Sequence, residues 1–190
     1  MKTLIIYISV HHGNTERVAK AMANILDANL LPVEQVDASM FEQYDLIGFG
    51  SGIYVGKHHE SLLDFVDRLP MLRNKKAFIF STSGLRKIRF IHNFDRPLRE
   101  KLHRKGFDII GEFSCRGLDT YRATRLVGGI NKGRPNAEDL KQAENFARSL
   151  KNRDSPGSGL GRRFYKSANS LITSCLPIHN HKLKIIPTTF

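Results

Sequence analysis

The chain has 190 residues, enough for one domain with a sizeable core, and its 30 Lys and Arg against 18 Asp and Glu give a net charge of +12. No apolar stretch is long enough to span a bilayer, and the chain starts in a strand pattern rather than a cleavable leader, so we expect a cytoplasmic protein. The excess positive charge predicts an acidic partner. An anionic cofactor, a negatively charged protein, anionic lipid and nucleic acid all stay open, as does a solvated basic surface.

The first 26 residues have the pattern of a strand, a tight polar loop and an amphipathic helix. An apolar run over residues 4–8 is followed by the loop 9–15, and apolar residues then recur at helical spacing. The first helical turn aims unpaired backbone N–H groups and the positive end of the helix dipole into this loop. Such a loop typically binds an anion, most often phosphate, and an ordinary capped turn is the alternative. The residues that would surround the anion are Ser9, Gly13, Asn14 and Thr15.

The middle of the chain repeats the alternation of strand and helix. Val33 to Val36 has the pattern of a short edge strand, and Tyr44 to Gly50 that of a strand buried on both faces. A glycine-flanked loop with one aromatic residue, Ser51 to Gly56, follows. Glu60 then begins an amphipathic helix that Pro70 closes.

The second half continues the same alternation. Ala77 to Phe80 predicts a buried strand, followed by the small polar loop Ser81-Thr82-Ser83-Gly84. A helix is predicted from about Asp95, a strand over Phe107 to Phe113, and a last helix capped by Asn136. The roughly twenty residues before Asn136 form a long loop that could cover a ligand, receive a partner, or be a plain surface excursion.

This alternation predicts a doubly wound α/β sandwich with a mainly parallel sheet. Ligands bind beyond the carboxyl ends of the strands in such sheets. The loops 9–15, 51–56 and 81–84 are therefore expected to meet in one crevice.

The first loop, S-V-H-H-G-N-T, resembles the phosphate loop of the flavodoxin family, usually written S/T-x-T-G-N-T. The difference is at His12, where the family usually has a hydroxyl residue and an imidazole N–H could replace it. The similarity extends over residues 1 to about 150 and implies a three-layer sandwich with a five-stranded parallel sheet of order 2-1-3-4-5. A looser likeness is to menaquinone-dependent protoporphyrinogen dehydrogenases, which are flavodoxin-like enzymes with a basic surface.

The resemblance implies that FMN is the cofactor. Tyr54 would stack on the isoalloxazine ring, and a peptide at Gly52 or Gly56 would face its N5 region. No second aromatic residue follows the third loop before Phe90, which implies a more open second face of the flavin. The implied phosphate residues are Ser9, His11, His12, Gly13, Asn14 and Thr15; the implied ring residues are Ser51, Gly52, Ile53, Tyr54, Val55, Gly56, Ser81, Thr82, Ser83 and Gly84.

Other chemistries have weaker signals. The paired histidines lack acidic or cysteine ligands at metal spacing, so we predict no metal site. No Ser/His/Asp ordering or nucleophile elbow is visible, and Cys115, expected to be exposed at a strand end, is a weak candidate nucleophile. Eight basic residues between 86 and 105 are opposed locally only by Asp95 and Glu100, which predicts a basic face in this region.

The end of the chain changes composition. We expect a domain over residues 1–151, a flexible linker over 152–161 that is rich in Gly and Ser, and a basic extension over 162–190. Basic and apolar residues alternate in this extension, which suits contact with anionic lipid at the inner membrane face or a homodimer contact. An extra element packed on the domain is the alternative.

The leading hypothesis is an FMN-binding redox protein that transfers electrons between a cellular reductant and a protein or quinone-like acceptor. The net charge favours an acidic or membrane-associated acceptor. A flavin-free basic module that binds anionic lipid or nucleic acid on the same fold is the alternative, although no RNA-binding pattern of interleaved aromatic and basic residues is present. Whether the protein is itself an enzyme stays open.

Overall fold

The computed structural model describes residues 1–84, 93–119 and 129–153. The strands in these ranges are β1 (Thr3–Ile8), β2 (Asn29–Pro32), β3 (Leu46–Tyr54), β4 (Lys57–His58), β5 (Lys75–Ser83) and β6 (Phe107–Arg116). The helices are α1 (Asn14–Leu26), α2 (Glu60–Arg68), α3 (Arg96–Arg104) and α4 (Ala137–Arg153), with short 3-10 helices over Val33–Gln35 and Ala38–Gln43.

The main sheet has the strand order β2-β1-β3-β5-β6, and every neighbouring pair in it is parallel. Strand β4 has only two residues and pairs antiparallel with the end of β3. If β4 is set aside, the order is the predicted 2-1-3-4-5, so the predicted α/β architecture is confirmed. All five parallel strands end at the same edge of the sheet.

Helices cover both faces of the sheet, because the strands are apolar on both faces. Side chains of β1 alternate: Leu4, Ile6 and Ile8 join the core under α2 and α3, whereas Ile5 joins the core under α1 and α4. Each of these side chains is at most 5% exposed. Burial of one such side chain contributes about 1.5–3 kcal/mol.

Two glycines in the central strand β3 make room for phenylalanines of β5. A Cβ atom on Gly48 would lie 2.3 Å from the ring of Phe78, and one on Gly50 would lie 2.1 Å from the ring of Phe80. Both rings are fully buried. The glycines therefore set how closely α1 and α4 pack on the middle of the sheet.

The second strand lies earlier than the sequence pattern predicted. Helix α1 ends at Leu26, and Asp27 adopts a left-handed conformation (φ 51°) that turns the chain back toward the sheet. Strand β2 therefore starts at Asn29 and pairs with β1 from Leu4 onward, while Val33–Gln35 is a 3-10 turn. The prediction of a strand over Val33 to Val36 is therefore wrong.

The last helix begins as predicted, at a reciprocal cap. The Asp139 N–H donates to Asn136 Oδ1 (3.0 Å), and the Asn136 N–H donates to Asp139 Oδ2 (2.9 Å). Helix α4 continues to Arg153, two residues into the predicted linker. The rest of the linker and the extension 162–190 lie outside the described residues, as do the basic residues Arg86, Lys87 and Arg89. Among the described helices, none combines the length and apolar character needed to cross a membrane.

Candidate functional site

A cavity of about 820 Å³ lies beyond the carboxyl ends of β1, β3 and β5. Its volume is in the range of small-molecule and cofactor sites. Four parts of the chain line it: the loop after β1, the end of β3 with the turn after it, the end of β5, and residues next to α3 and β6. The lining residues are Val10, His11, His12, Asn14, Thr15, Gly52, Ile53, Tyr54, Val55, Gly56, Thr82, Ser83, Gly84, Phe94, Gly117, Leu118 and Asp119.

The loop after β1 has the geometry of an anion site. His12 and Gly13 both have left-handed backbone conformations (φ 58° and 64°), and α1 starts at the next residue. Two successive residues of this kind turn the loop tightly against the N-terminus of the helix. Ser9 Oγ is buried here and makes no hydrogen bond within the described part of the chain. A buried hydroxyl without a protein partner is what a bound anion would satisfy.

The side chains of Asn14 and Thr15 also hold the cavity walls together. Asn14 Nδ2 donates to the Leu118 carbonyl oxygen (2.8 Å) beyond β6, and Thr15 Oγ1 lies 2.9 Å from Thr82 Oγ1 at the end of β5. Thr15 and Thr82 are almost fully buried. Both predicted phosphate residues are therefore partly committed to contacts between loops, which the sequence pattern did not reveal.

The predicted loop Ser51 to Gly56 is a β-hairpin, because β3 continues to Tyr54 and pairs with β4. Val55 and Gly56 form its two-residue turn, with φ values of 50° and 78°. Positive φ at both positions is typical of a type I′ turn, which rarely contains a β-branched residue. Val55 is 84% exposed at the tip of this hairpin.

Tyr54 lies among the histidines of the two neighbouring segments. Its ring centroid is 6.3 Å from that of His11 and 5.1 Å from that of His59, which meets it edge-on. Partial burial raises the pKa of Tyr54, a backbone hydrogen bond at Val10 opposes this, and the Asp119 carboxylate adds to the rise. The phenol is therefore neutral and presents an aromatic face in a cavity that also holds a carboxylate.

The third predicted loop is mostly strand, since β5 continues to Ser83. Thr82, Ser83 and Gly84 line the cavity, whereas Ser81 is fully buried. A Cβ atom on Gly84 would lie 2.2 Å from Asp119 Oδ2, and Asn131 Nδ2 donates to the Gly84 carbonyl oxygen (2.7 Å). The end of β5 is thus packed closely by the segments around residues 119 and 131.

Most of the predicted site residues meet in the cavity. Those that line it are His11, His12, Asn14, Thr15, Gly52, Ile53, Tyr54, Val55, Gly56, Thr82, Ser83 and Gly84. Four do not: Ser9, Gly13, Ser51 and Ser81. Ser51 is fully buried, and its hydroxyl lies 2.8 Å from His58 Nδ1. Their roles toward a cofactor stay predictions.

The sequence reasoning missed lining residues that come from segments after β5 and β6. Phe94 precedes α3 and is 7% exposed, and it lies further along the chain than the second aromatic residue was expected. Asp119 follows β6 and forms an antiparallel bridge with Ile130. The sequence could have indicated Phe94 and Asp119 only through their positions, because both lie at an end of a connection that leaves the carboxyl edge of the sheet.

The predicted basic face is largely paired on α3. Arg99 makes a bidentate ion pair with Glu112 of β6 (2.5 and 2.9 Å), and these bonds raise the pKa of Arg99. Arg96 pairs with Glu100 (2.7 Å), and Lys101 pairs with Asp67 of α2. Opposing carboxylates thus come from neighbouring elements as well as from α3, beyond the predicted Asp95 and Glu100.

The charge excess is concentrated outside the described ranges. Residues 1–84, 93–119 and 129–153 contain 20 Lys and Arg against 17 Asp and Glu, a net charge of +3. The remaining positive charge of the +12 lies in the segments 85–92, 120–128 and 154–190. The framework that builds the cavity is therefore close to neutral.

Cys115 lies in the core between the sheet and α4, and it is not exposed as expected. Burial raises the pKa of its thiol to about 12, with a smaller contribution from Asp139. A thiol with this pKa stays protonated near neutral pH. Cys115 is therefore not a nucleophile in the folded protein.

The comparisons with known proteins agree with the arrangement of the strands and loops. The family model of the flavodoxin domain matches residues 4–109. The chain belongs to the flavodoxin family. An uncharacterized protein of Methanocaldococcus jannaschii is 51% identical over 150 residues, which cover 79% of this chain and 98% of the relative.

Solved flavodoxins share the fold at low sequence identity. A flavodoxin from the domain Archaea matches with a TM-score of 0.55 and 15% identity, covering 80% of this chain and 98% of that protein. Oxidised flavodoxin 1 of Bacillus cereus matches with a TM-score of 0.59 and 21% identity, again covering 80% and 98%. Rubredoxin oxygen:oxidoreductase of Desulfovibrio gigas contains a similar domain (TM-score 0.56, 18% identity), with 80% of this chain matched to 36% of that protein.

Membership of this family implies a flavin cofactor, and the residues present fit one. The orphaned Ser9 hydroxyl and the N-terminus of α1 suit a phosphate. Tyr54 and Phe94 give the cavity two aromatic side chains, which suit a flat ring system. Gly52 and Gly84 also line the cavity, and their backbone peptide groups suit the polar edge of such a ring.

Proposed function

We propose that the protein binds FMN in this cavity and transfers electrons between a cellular reductant and a protein or quinone-like acceptor. One observation carries the proposal. The cavity of about 820 Å³ is lined by a loop of the phosphate-binding type, with the buried hydroxyl of Ser9 nearby. The same cavity is also lined by the aromatic residues Tyr54 and Phe94. An anion site and aromatic faces at one sheet edge match the two chemically distinct ends of a flavin mononucleotide.

When bound, FMN would supply the redox chemistry, because it can take up and release electrons singly or in pairs. The protein contributes position and electrostatics. The loop 9–15 would hold the phosphate with backbone N–H groups and the Ser9 hydroxyl, and Tyr54 would limit access of water to the ring. Val10 and Val55, 50% and 84% exposed, place apolar surface at the rim where an acceptor could approach.

Where the positive charge lies is relevant to which electron acceptor the protein would use. An acidic protein or a membrane-associated quinone fits the net charge of +12, but most of that charge lies outside the described residues. Electrostatic steering by these segments would raise the association rate with an acidic acceptor and weaken with salt. The rate of oxidation of the reduced protein at increasing ionic strength tests this: a falling rate supports an acidic acceptor, and a constant rate contradicts it.

Titration of cofactor-free protein with FMN and with riboflavin tests the proposal. Riboflavin has the same ring and no phosphate. We expect saturable binding of FMN with quenching of its fluorescence, and riboflavin binding weaker by about tenfold or more, which corresponds to about 1.4 kcal/mol. Protein that takes up neither molecule would contradict the proposal. Binding of anionic vesicles by such a protein would then support the flavin-free basic module.

A second measurement separates an electron carrier from an enzyme. Loaded protein is reduced and then mixed with a soluble quinone, and turnover is followed with excess reductant. Sustained turnover supports an FMN-dependent oxidoreductase. A single rapid reoxidation with efficient transfer to an acceptor protein supports a carrier.

A further inference from the structure

Three polar side chains next to the cavity form a buried chain of hydrogen bonds. Ser51 Oγ, at the end of β3, lies 2.8 Å from His58 Nδ1 on β4. His58 Nε2 lies 2.9 Å from Oδ1 of Asp95, the residue before α3. The His59 N–H donates to Ser51 Oγ (3.0 Å), and the Ser51 hydroxyl is 2.8 Å from the Gly52 carbonyl oxygen. We call Ser51, His58 and Asp95 the buried relay.

The residues of the relay are shut off from solvent, since Ser51, His58 and Asp95 are each 0% exposed. Ser51 cannot reach a substrate, so the relay is not a hydrolytic triad despite having the same residue types. Buried polar groups are costly unless they are hydrogen-bonded, and an ionised partner left alone is costlier still. A network of this kind therefore fixes the positions of the segments it joins.

The segments joined by the relay both line the cavity. Ser51 is followed by Gly52, which begins the hairpin that carries Tyr54, and Asp95 is preceded by Phe94. The relay thus connects the chain beside one aromatic lining residue to the chain beside the other.

The relay also has a limited number of hydrogens. The Ser51 hydroxyl has one: if it is donated to the Gly52 carbonyl, His58 Nδ1 must carry the hydrogen of its bond to Ser51. If the hydrogen of the imidazole is instead on Nε2, then Nδ1 accepts from Ser51, and the Gly52 carbonyl loses that donor. The hydrogen on His58 Nδ1 is therefore linked to a hydrogen bond at a residue that lines the cavity.

We propose that Ser51, His58 and Asp95 are positioning residues for the cofactor: they fix the hairpin relative to Phe94, and a hydrogen on His58 Nδ1 decides whether the Ser51 hydroxyl bonds the Gly52 carbonyl. The inference rests on the proposed function, because it names residues that tune the same FMN site. Its consequence is a cofactor affinity that depends on residues the cofactor never touches.

Within the described residues, several other charged groups on the elements packed around the relay have partners of their own. Arg99 of α3 lies in the field of Asp95 and is held by Glu112 of β6. Lys57, beside His58, pairs at the surface with Glu60 of α2 (3.1 Å). His59 accepts from the Ser61 N–H with Nδ1 (3.2 Å) and meets Tyr54 edge-on. Asp95 is the carboxylate in direct contact with His58.

The test compares two substitutions of His58 with a control in α3. His58→Phe fills the space but leaves Ser51 and Asp95 without this partner. His58→Gln keeps a donor for Asp95 and an acceptor for Ser51. Leu102→Ala removes a fully buried side chain of α3 and leaves the relay intact.

We expect His58→Phe to weaken FMN binding by about tenfold and to speed amide exchange of residues 52–57 by a similar factor in cofactor-free protein. His58→Gln should restore both to within about threefold of wild type, because it replaces the hydrogen bonds that His58→Phe removes. Leu102→Ala should lower the thermal midpoint and leave exchange of the hairpin unchanged.

Two results would overturn the inference. If His58→Phe changes hairpin exchange no more than Leu102→Ala does, the relay does not position the hairpin. If His58→Gln binds FMN as weakly as His58→Phe does, hydrogen bonding by residue 58 does not position the cofactor site. Failure of wild-type protein to bind FMN would instead remove the proposed function, and the exchange measurement on cofactor-free protein would still decide whether the relay holds the hairpin.

Discussion

The loop 9–15 and the hairpin 51–58 line the same cavity but are held in different ways. The loop is shaped locally, by left-handed residues His12 and Gly13 and by the start of α1 directly after them. The hairpin is held from a distance, by a buried relay in which the bonded residues His58 and Asp95 are 37 positions apart along the chain. A short motif can therefore reveal the first wall, whereas the second depends on contacts that exist only in the folded protein.

The loop and the hairpin also differ in whether their buried polar groups are hydrogen-bonded before a ligand binds. Ser9 Oγ, at the loop, has no hydrogen-bond partner within the described residues, so its polar group is costly until a ligand satisfies it. The hairpin side is satisfied already by the relay. We infer that the loop supplies binding energy for the anionic end of the ligand, and that the hairpin supplies a preformed surface for its ring.

The largest expected effect comes from breaking the relay at Asp95. Asp95→Ala leaves His58 buried without its carboxylate partner and should lower the free energy of unfolding by about 3 kcal/mol. Denaturant unfolding monitored by circular dichroism measures this. Glu100→Ala, which removes an exposed ion pair with Arg96, is the control and should change stability by less than about 0.5 kcal/mol. Equal effects of the two substitutions would show that the relay is no stronger than a surface pair.

The anion side should respond in affinity rather than stability. Ser9→Ala removes a hydroxyl that makes no hydrogen bond to the described residues, so we expect an unchanged or slightly raised thermal midpoint and FMN binding weaker by about tenfold. Riboflavin binding should not change. Thr3→Val is a matched control, because Thr3 Oγ1 is also buried without a partner in the described part of the chain but lies at the start of β1, away from the cavity. Loss of riboflavin affinity in Ser9→Ala would argue against a phosphate role for this loop.

The sequence predicted the loop 9–15, which is shaped by neighbouring residues, better than the hairpin 51–58, which is held by distant contacts. Strand β1, the tight loop and helix α1 each have a period and a boundary that neighbouring residues determine. The extension of β3 to Tyr54 depends on antiparallel pairing with the two-residue strand β4, and its Val-Gly turn lacks the usual Asn-Gly signal. Phe94 and the relay depend on where α3 packs, and no local pattern encodes this.

The parallel α/β architecture was predictable because strands alternate with helices, whereas the strand order came from the resemblance to the flavodoxin family. Strand β2 was misplaced because the left-handed Asp27 shortens the connection after α1, and nothing in its own pattern distinguishes Asn29–Pro32 from the residues that follow. The ion pairs of Arg99 with Glu112 and of Lys101 with Asp67 were missed for a similar reason. Their partners lie on other elements, so counting charges along one segment could not find them.

Thr15 belongs to both kinds of wall, since it is a residue of the motif and also contacts Thr82 at 2.9 Å. Thr15→Ala and Thr82→Val should each lower the free energy of unfolding by about 1 kcal/mol, because each removes the same buried hydrogen bond. Thr15→Ala should also weaken FMN binding, whereas Thr82→Val keeps the Thr15 hydroxyl and should affect FMN less. The double variant should be less than additive in stability. Equal losses of FMN affinity would mean that Thr15 serves only to hold the walls together.

The smallest effect is expected at the tip of the hairpin, where Val55 has a left-handed conformation (φ 50°) although it is β-branched. This conformation is unfavourable for Val and ordinary for Asn, and Val55 is 84% exposed, so little packing would be lost on replacement. Val55→Asn should therefore raise the free energy of unfolding by about 0.5–1 kcal/mol, measured by denaturant titration. Gly56→Ala, at φ 78°, should act in the opposite direction, because Ala tolerates this conformation less well than Gly does. If Val55→Asn instead destabilises the protein, the turn is held by contacts of the valine side chain, and the hairpin would depend on its tip as well as on the relay at its base.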